Sequence, residues 1–116
     1  MPVLLDTSVR LAHGPRVRLR HPHVRDRTGV AALLTRIGLG ADDLDLQRAL
    51  RFDPRVRAVL CATIWTVTGE TVVGLGAISY GAEHADLLLV DEALAPGLRE
   101  ILLNTLALAG ARRRAA

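Results

Sequence analysis

At 116 residues, half of them hydrophobic, the chain has material for one domain around one core and none for a second. Phe52, Trp65 and Tyr80 are the only aromatics and the formal charge is +3, which excludes an aromatic platform for stacking bases and gives no reason to expect a nucleic-acid partner. Cys61 is the sole cysteine, and no apolar run nears the roughly 20 residues that span a bilayer, so a disulfide framework and a membrane span are excluded and a cytoplasmic protein is expected.

In chain order, residues 1–15 form a lead-in. Val3 to Ser8 suit a short strand or an ordered segment, and Gly14-Pro15 breaks the chain before the first full element. Val17-Arg18-Leu19-Arg20 alternates apolar with charged residues, the pattern of a half-buried strand, and His21-Pro22-His23 ends it. Asp26 is placed to cap a helix carrying Val30, Leu33, Leu34 and Ile37, which Gly38 and Gly40 close. A second helix is predicted with Asp42, Asp43 and Asp45 in its first turn and Arg48 and Arg51 in its last, matching the helix dipole, until Phe52-Asp53-Pro54 stops it.

Ala58 to Val67 is rich in β-branched residues, and Thr68-Gly69-Glu70 turns it into a second long strand over Thr71 to Tyr80. Gly81 to His84 turns again into Asp86 to Val90, apolar enough to be covered on both faces. A final helix runs from about Pro96 to Arg113, with Leu98, Ile101, Leu102, Thr105, Leu106 and Ala109 on one stripe. These elements predict an α+β domain: a mixed or antiparallel sheet with flanking helices.

Residues 1–57 hold eleven Arg against six Asp, a net of +5, and residues 58–116 hold four Arg against six acids, a net of −2. There is no Lys, and with the excess of Ala, Leu and Val the composition resembles the bias of a GC-rich bacterial genome.

Over residues 16 to 113 the order strand, helix, helix, three strands, helix is similar to the opening of the GNAT N-acetyltransferase fold. Val17-Arg18-Leu19-Arg20 with Asp26-Arg27 resembles its start, and Val73-Gly74-Leu75-Gly76-Ala77-Ile78 resembles its third strand. Leu89 to Leu103 occupies the place of the family's cofactor signature, where a helix N-terminus holds the acetyl-CoA pyrophosphate through free backbone N–H groups.

The resemblance implies an acyl-CoA-dependent N-acetyltransferase, or a degenerate relative, with acetyl-CoA held around Leu89, Val90, Ala95, Gly97, Leu98 and Arg99. Pro96 would open the helix and leave the N–H groups of Gly97, Leu98 and Arg99 available. The family's paired glycines are reduced to Gly97, and Asp91 and Glu92 add negative charge. His84 or Asp86 would stand where the family often carries a general base, and the acceptor is undefined.

The C-terminal strands of the full family fold are not seen before Ala116, so the edge at Asp86 to Val90 invites a homodimer or a partner chain completing the sheet, built around Leu87, Leu89, Leu103 and Leu108. A non-catalytic binding or assembly module on the same fold is therefore a direct alternative. A second alternative rests on Leu4-Leu5-Asp6-Thr7-Ser8-Val9, which resembles the first strand of PIN-domain ribonucleases; Asp6 would then hold a divalent metal with acids such as Asp42, Asp43, Asp86 and Asp91. His13, His21 and His23 lie close in sequence, but Pro22 marks a turn and no fourth ligand is indicated, so no metal site is assigned.

Overall fold

A computed structural model describes residues 6–39 and 55–115. Five strands make one antiparallel sheet in chain order: β1 (Asp6–Arg10), β2 (Arg16–Arg20), β3 (Arg57–Thr66), β4 (Gly69–Ser79) and β5 (Leu87–Val90). Helix α1 (Arg27–Arg36) enters through a single 3₁₀ turn at Val24–Asp26, and α2 (Leu98–Ala115) follows β5. The fold is α+β, as the element pattern predicts. The predicted helix over residues 42–51 lies outside the described residues.

At the front of the chain the short strand, one of the two outcomes expected there, is present at Asp6–Arg10. Gly14-Pro15 belongs to the turn of a hairpin: Asp6 faces Arg20, Arg10 faces Arg16, and the Leu11 amide donates to the Pro15 carbonyl at 3.3 Å. The lead-in therefore contributes a strand to the sheet. That strand is an antiparallel margin, not the centre of a parallel sheet, which removes the structural basis of the ribonuclease comparison. Among the described residues, no group of three or more His, Cys, Asp and Glu is placed to hold a metal ion.

Each helix covers one face of the sheet. Leu98, Leu102 and Leu106 of α2 bury completely against Val17, Leu19, Leu60, Ala62, Val73 and Ile78. At about 1.5–3 kcal/mol for each large apolar side chain removed from water, this stripe dominates the attachment of α2. Val30, Leu33 and Leu34 of α1 pack on the opposite face against Val59, Cys61, Val72, Leu75 and Ala77. Helix α1 ends in a Schellman motif, with Leu39 donating to the Leu34 carbonyl at 2.8 Å and Gly38 to Thr35 at 3.2 Å.

The glycines of β4 set how closely α2 sits. A Cβ on Gly74 would meet Leu98 Cδ2 at 2.9 Å and Leu102 Cδ1 at 3.0 Å, and one on Gly76 would meet Leu106 Cδ1 at 2.7 Å. A bulge at Ala62/Thr63 lets β4 carry one extra residue, Val73, so that Val73 joins Gly74 on the α2 face. Among the described residues no helix is long and apolar enough to cross a membrane.

Strand β5 is the other margin of the sheet and pairs, among the described residues, only with β4. It was expected to be covered on both faces; instead Leu87, Leu88 and Leu89 are half-buried, because among the described residues no strand lies beyond β5.

Candidate functional site

The connection from β5 to α2 is built around Asp91. Its amide extends the β4–β5 ladder by donating to the Val73 carbonyl at 2.8 Å, and its own carbonyl accepts from the Ala95 amide at 2.9 Å. Its carboxylate caps the turn through the Leu94 amide at 3.1 Å and accepts from Arg36 Nε at 2.7 Å. Arg36 also donates to the Val72 carbonyl, so the last turn of α1 is tied to the loop across the sheet margin. Burial works to raise the Asp91 pKa, but the Arg36 and Leu94 hydrogen bonds outweigh it and hold the carboxyl below its usual value.

The residues expected to hold acetyl-CoA are divided by this geometry. Ala95 and Leu98 are completely buried and Val90 nearly so, all three in the α2-side core, while Leu89 packs toward α1. Only Gly97 and Arg99 are exposed. The helix opens at Leu98, two residues later than Pro96, after Gly97 takes a φ of 87°. The Leu98 amide, expected to be available, donates to the Ala95 carbonyl at 3.2 Å. Arg99 Nε donates to Glu92 at 3.2 Å, so the cation expected to assist the cofactor is paired within the loop.

His84 and Asp86 lie before β5, and Asp91 follows Asp86 by five positions, about 16 Å of extended chain. His84 is exposed. The Asp86 carboxylate accepts from Arg57 at 3.0 Å and from the Ser79 hydroxyl at 3.2 Å, an open surface pairing. The structure does not bring the expected base residues and the expected cofactor residues together.

A second polar constellation, not anticipated from the pattern, lies on the α1 face of β2–β4. Arg20, only 2% exposed, donates to both oxygens of Asp26 at 2.7 and 2.8 Å, to Glu70 at 3.1 Å and to the His21 carbonyl at 3.0 Å. Glu70 also accepts from the Thr63 hydroxyl at 2.9 Å, and exposed Arg18 forks onto Asp6 at 2.9 and 2.7 Å. Asp26, expected to cap α1, makes no side-chain cap to that helix; its carboxylate accepts from the His23 amide at 2.6 Å and closes the 3₁₀ turn. The sequence signal for Arg20 is the alternation itself, since Val17 and Leu19 face α2 and the intervening arginines must face the side where α1 and Asp26 arrive.

The two margins of the sheet differ in chemistry. Strand β1 reads Asp-Thr-Ser-Val-Arg, with a charge at each end and four of five residues exposed. Strand β5 reads Leu-Leu-Leu-Val and carries no charge. Charged residues on an edge discourage further strand pairing, and an apolar edge does not.

Comparison of the chain with protein-family models, with curated proteins and with solved structures gives no match.

Proposed function

We propose that this chain is a non-catalytic assembly module whose β5 margin accepts an extended strand from another polypeptide. The observation that carries the reading is the contrast between the margins: β1 is guarded by Asp6 and Arg10, and β5 presents three half-buried leucines with no charge. The ladder adds a direction to it. Asp91 and Val73 form a hydrogen-bonded pair in the β4–β5 register, so by alternation Leu87 and Leu89 direct their backbone groups to β4, and Leu88 and Val90 direct theirs outward.

Amide hydrogen exchange tests this reading. The amides of Leu88 and Val90 should exchange slowly at high protein concentration or with a capped Val-Thr-Val-Thr-Val peptide present. Exchange that stays as fast as in an unstructured chain under every such condition sinks it.

A second reading keeps the GNAT resemblance and has this chain bind acetyl-CoA, as an N-acetyltransferase or a degenerate relative. Gly97 supports it, being left-handed and open at the head of an 18-residue helix. Asp91, Glu92 and the engaged Leu98 amide weigh against it. Calorimetry with acetyl-CoA separates the two: heat that disappears in Gly97→Val favours the second, and none at millimolar ligand removes it.

A further inference from the structure

We infer that the strand received at β5 is the β5 of a second copy of this chain, paired antiparallel about a two-fold axis through Leu89. The inference rests on the assembly reading and names its partner. Its basis is that the open edge of β5 is complementary to itself in one register.

Leu88 and Val90 are the residues of β5 whose N–H and C=O groups point away from β4. When Leu88 of one copy faces Val90 of the other, both residues exchange both bonds, and the two-fold repeats the arrangement: four hydrogen bonds satisfy every outward group of the two residues. A shift that places Leu88 opposite its own counterpart sets Val90 against Asp86, whose amide already donates to the Ala77 carbonyl at 3.0 Å. A shift that centres on Val90 sets Leu88 against Glu92, beyond the strand. Centring on Leu89 therefore pairs the most backbone.

The side chains agree with that register. Leu89 falls on the axis as a non-hydrogen-bonded pair, and because it packs toward α1, the two copies of Leu89 continue the α1-side core across the boundary. Leu88 and Val90 lie together on the α2 side, where Val90 is already buried. The acids near the strand ends do not oppose the union, since each is paired within its own chain: Asp86 with Arg57 at 3.0 Å, Asp91 with Arg36 at 2.7 Å and Glu92 with Arg99 at 3.2 Å.

The four leucines expected at such an interface, Leu87, Leu89, Leu103 and Leu108, do not form one patch. Leu87 and Leu89 face α1, while Leu103 and Leu108 sit on α2, across the sheet, five residues and so about 140° apart around the helix. Edge pairing uses Leu89 directly and needs neither Leu103 nor Leu108.

Cysteine cross-linking with light scattering tests the register and the partner together. The chain should scatter as twice its 12.5 kDa mass, and Leu89→Cys under mild oxidation by oxidised glutathione should give a covalent dimer. Non-hydrogen-bonded pairs place Cα atoms about 4.5 Å apart, within disulfide reach. Leu87→Cys, on the same face but two positions from the axis, should not cross-link. Leu88→Pro removes an outward donor and leaves the β4 ladder intact, so it should give a monomer with unchanged circular dichroism. If that variant does not fold, the two cysteine variants decide alone.

A dimer that cross-links through Leu87→Cys and not Leu89→Cys, or one that survives Leu88→Pro, overturns the inference. A monomer overturns it too; protection of Leu88 and Val90 by the Val-Thr peptide would then leave the assembly reading standing, and its absence would remove both.

Discussion

The Arg20 guanidinium grips both oxygens of Asp26, at 2.7 and 2.8 Å, in the interior of the fold, joining the end of β2 to the turn that launches α1. Both side chains are buried, so removing Asp26 strips the buried Arg20 of its two shortest bonds and leaves Glu70, at 3.1 Å, as its remaining carboxylate partner. Asp26→Ala should therefore cost about 3–5 kcal/mol. The double change Arg20→Met with Asp26→Leu should cost less than the single one, which urea unfolding of the three proteins will measure.

The acid limb of the pH dependence follows from three carboxyls. Asp26, Glu70 and Asp91 are each pushed up by burial but held net below their ordinary values of 3.8, 4.5 and 3.8 by hydrogen bonds from Arg20, from Arg20 and Thr63, and from Arg36. In mild acid the unfolded chain then binds more protons than the folded one, so stability is present above those ordinary values and is lost as pH falls through the lower folded ones. Urea midpoints should begin to fall below about pH 6.5, because burial lowers the His21 pKa and the unfolded chain takes up that proton first, and should fall further below about pH 4.5. The decline should be shallower in Asp91→Asn, which no longer carries that proton linkage.

Helix α2 rests on glycine. Gly74→Val should cost about 1–3 kcal/mol, since its Cβ would strike Leu98 and Leu102 at 2.9 and 3.0 Å. Leu102→Ala should cost about 2–5 kcal/mol alone. Combined, the two should cost less than their sum, because the shortened residue vacates part of the space the valine needs. Thermal unfolding of the single and double variants checks the non-additivity.

Cys61 is completely buried, and burial pushes its thiol up to about 12. It should resist alkylation at pH 8 in the folded protein and react at once in denaturant. Mass spectrometry after a timed iodoacetamide pulse reads this directly, and rapid labelling without denaturant would mean that the α1-side core opens.

Much of the fold was legible because its periodicities are plain. The stripe of Leu98, Leu102 and Leu106 fell where α2 meets the sheet, and the strands around Thr68-Gly69-Glu70 formed the expected hairpin. Gly14-Pro15 misled because a break in local propensity looks the same whether the chain stops pairing or doubles back, and only pairing with Arg16–Arg20 distinguishes the two. Asp26 misled for a related reason. A carboxylate before a helix satisfies the capping pattern, but a buried guanidinium nearby is a stronger claim on it than an amide exposed to water. The Arg36–Asp91 link joins residues 55 positions apart and leaves no local trace. The candidate site was the least legible part: the loop's position could be read from the chain, but the burial of Ala95 and Leu98 depends on how α2 settles on the β4 glycines.

The unequal margins of the sheet bear on how large any complex can become. A strand joining at β5 leaves the far side of the sheet at β1, where Asp6 and Arg10 meet the solvent and Asp6 is held by Arg18. Growth in that direction would have to take the Asp6–Arg18 pair and the Arg10 guanidinium out of water. The sheet can thus be lengthened once and then terminates, which favours a closed, countable particle over an open-ended fibre.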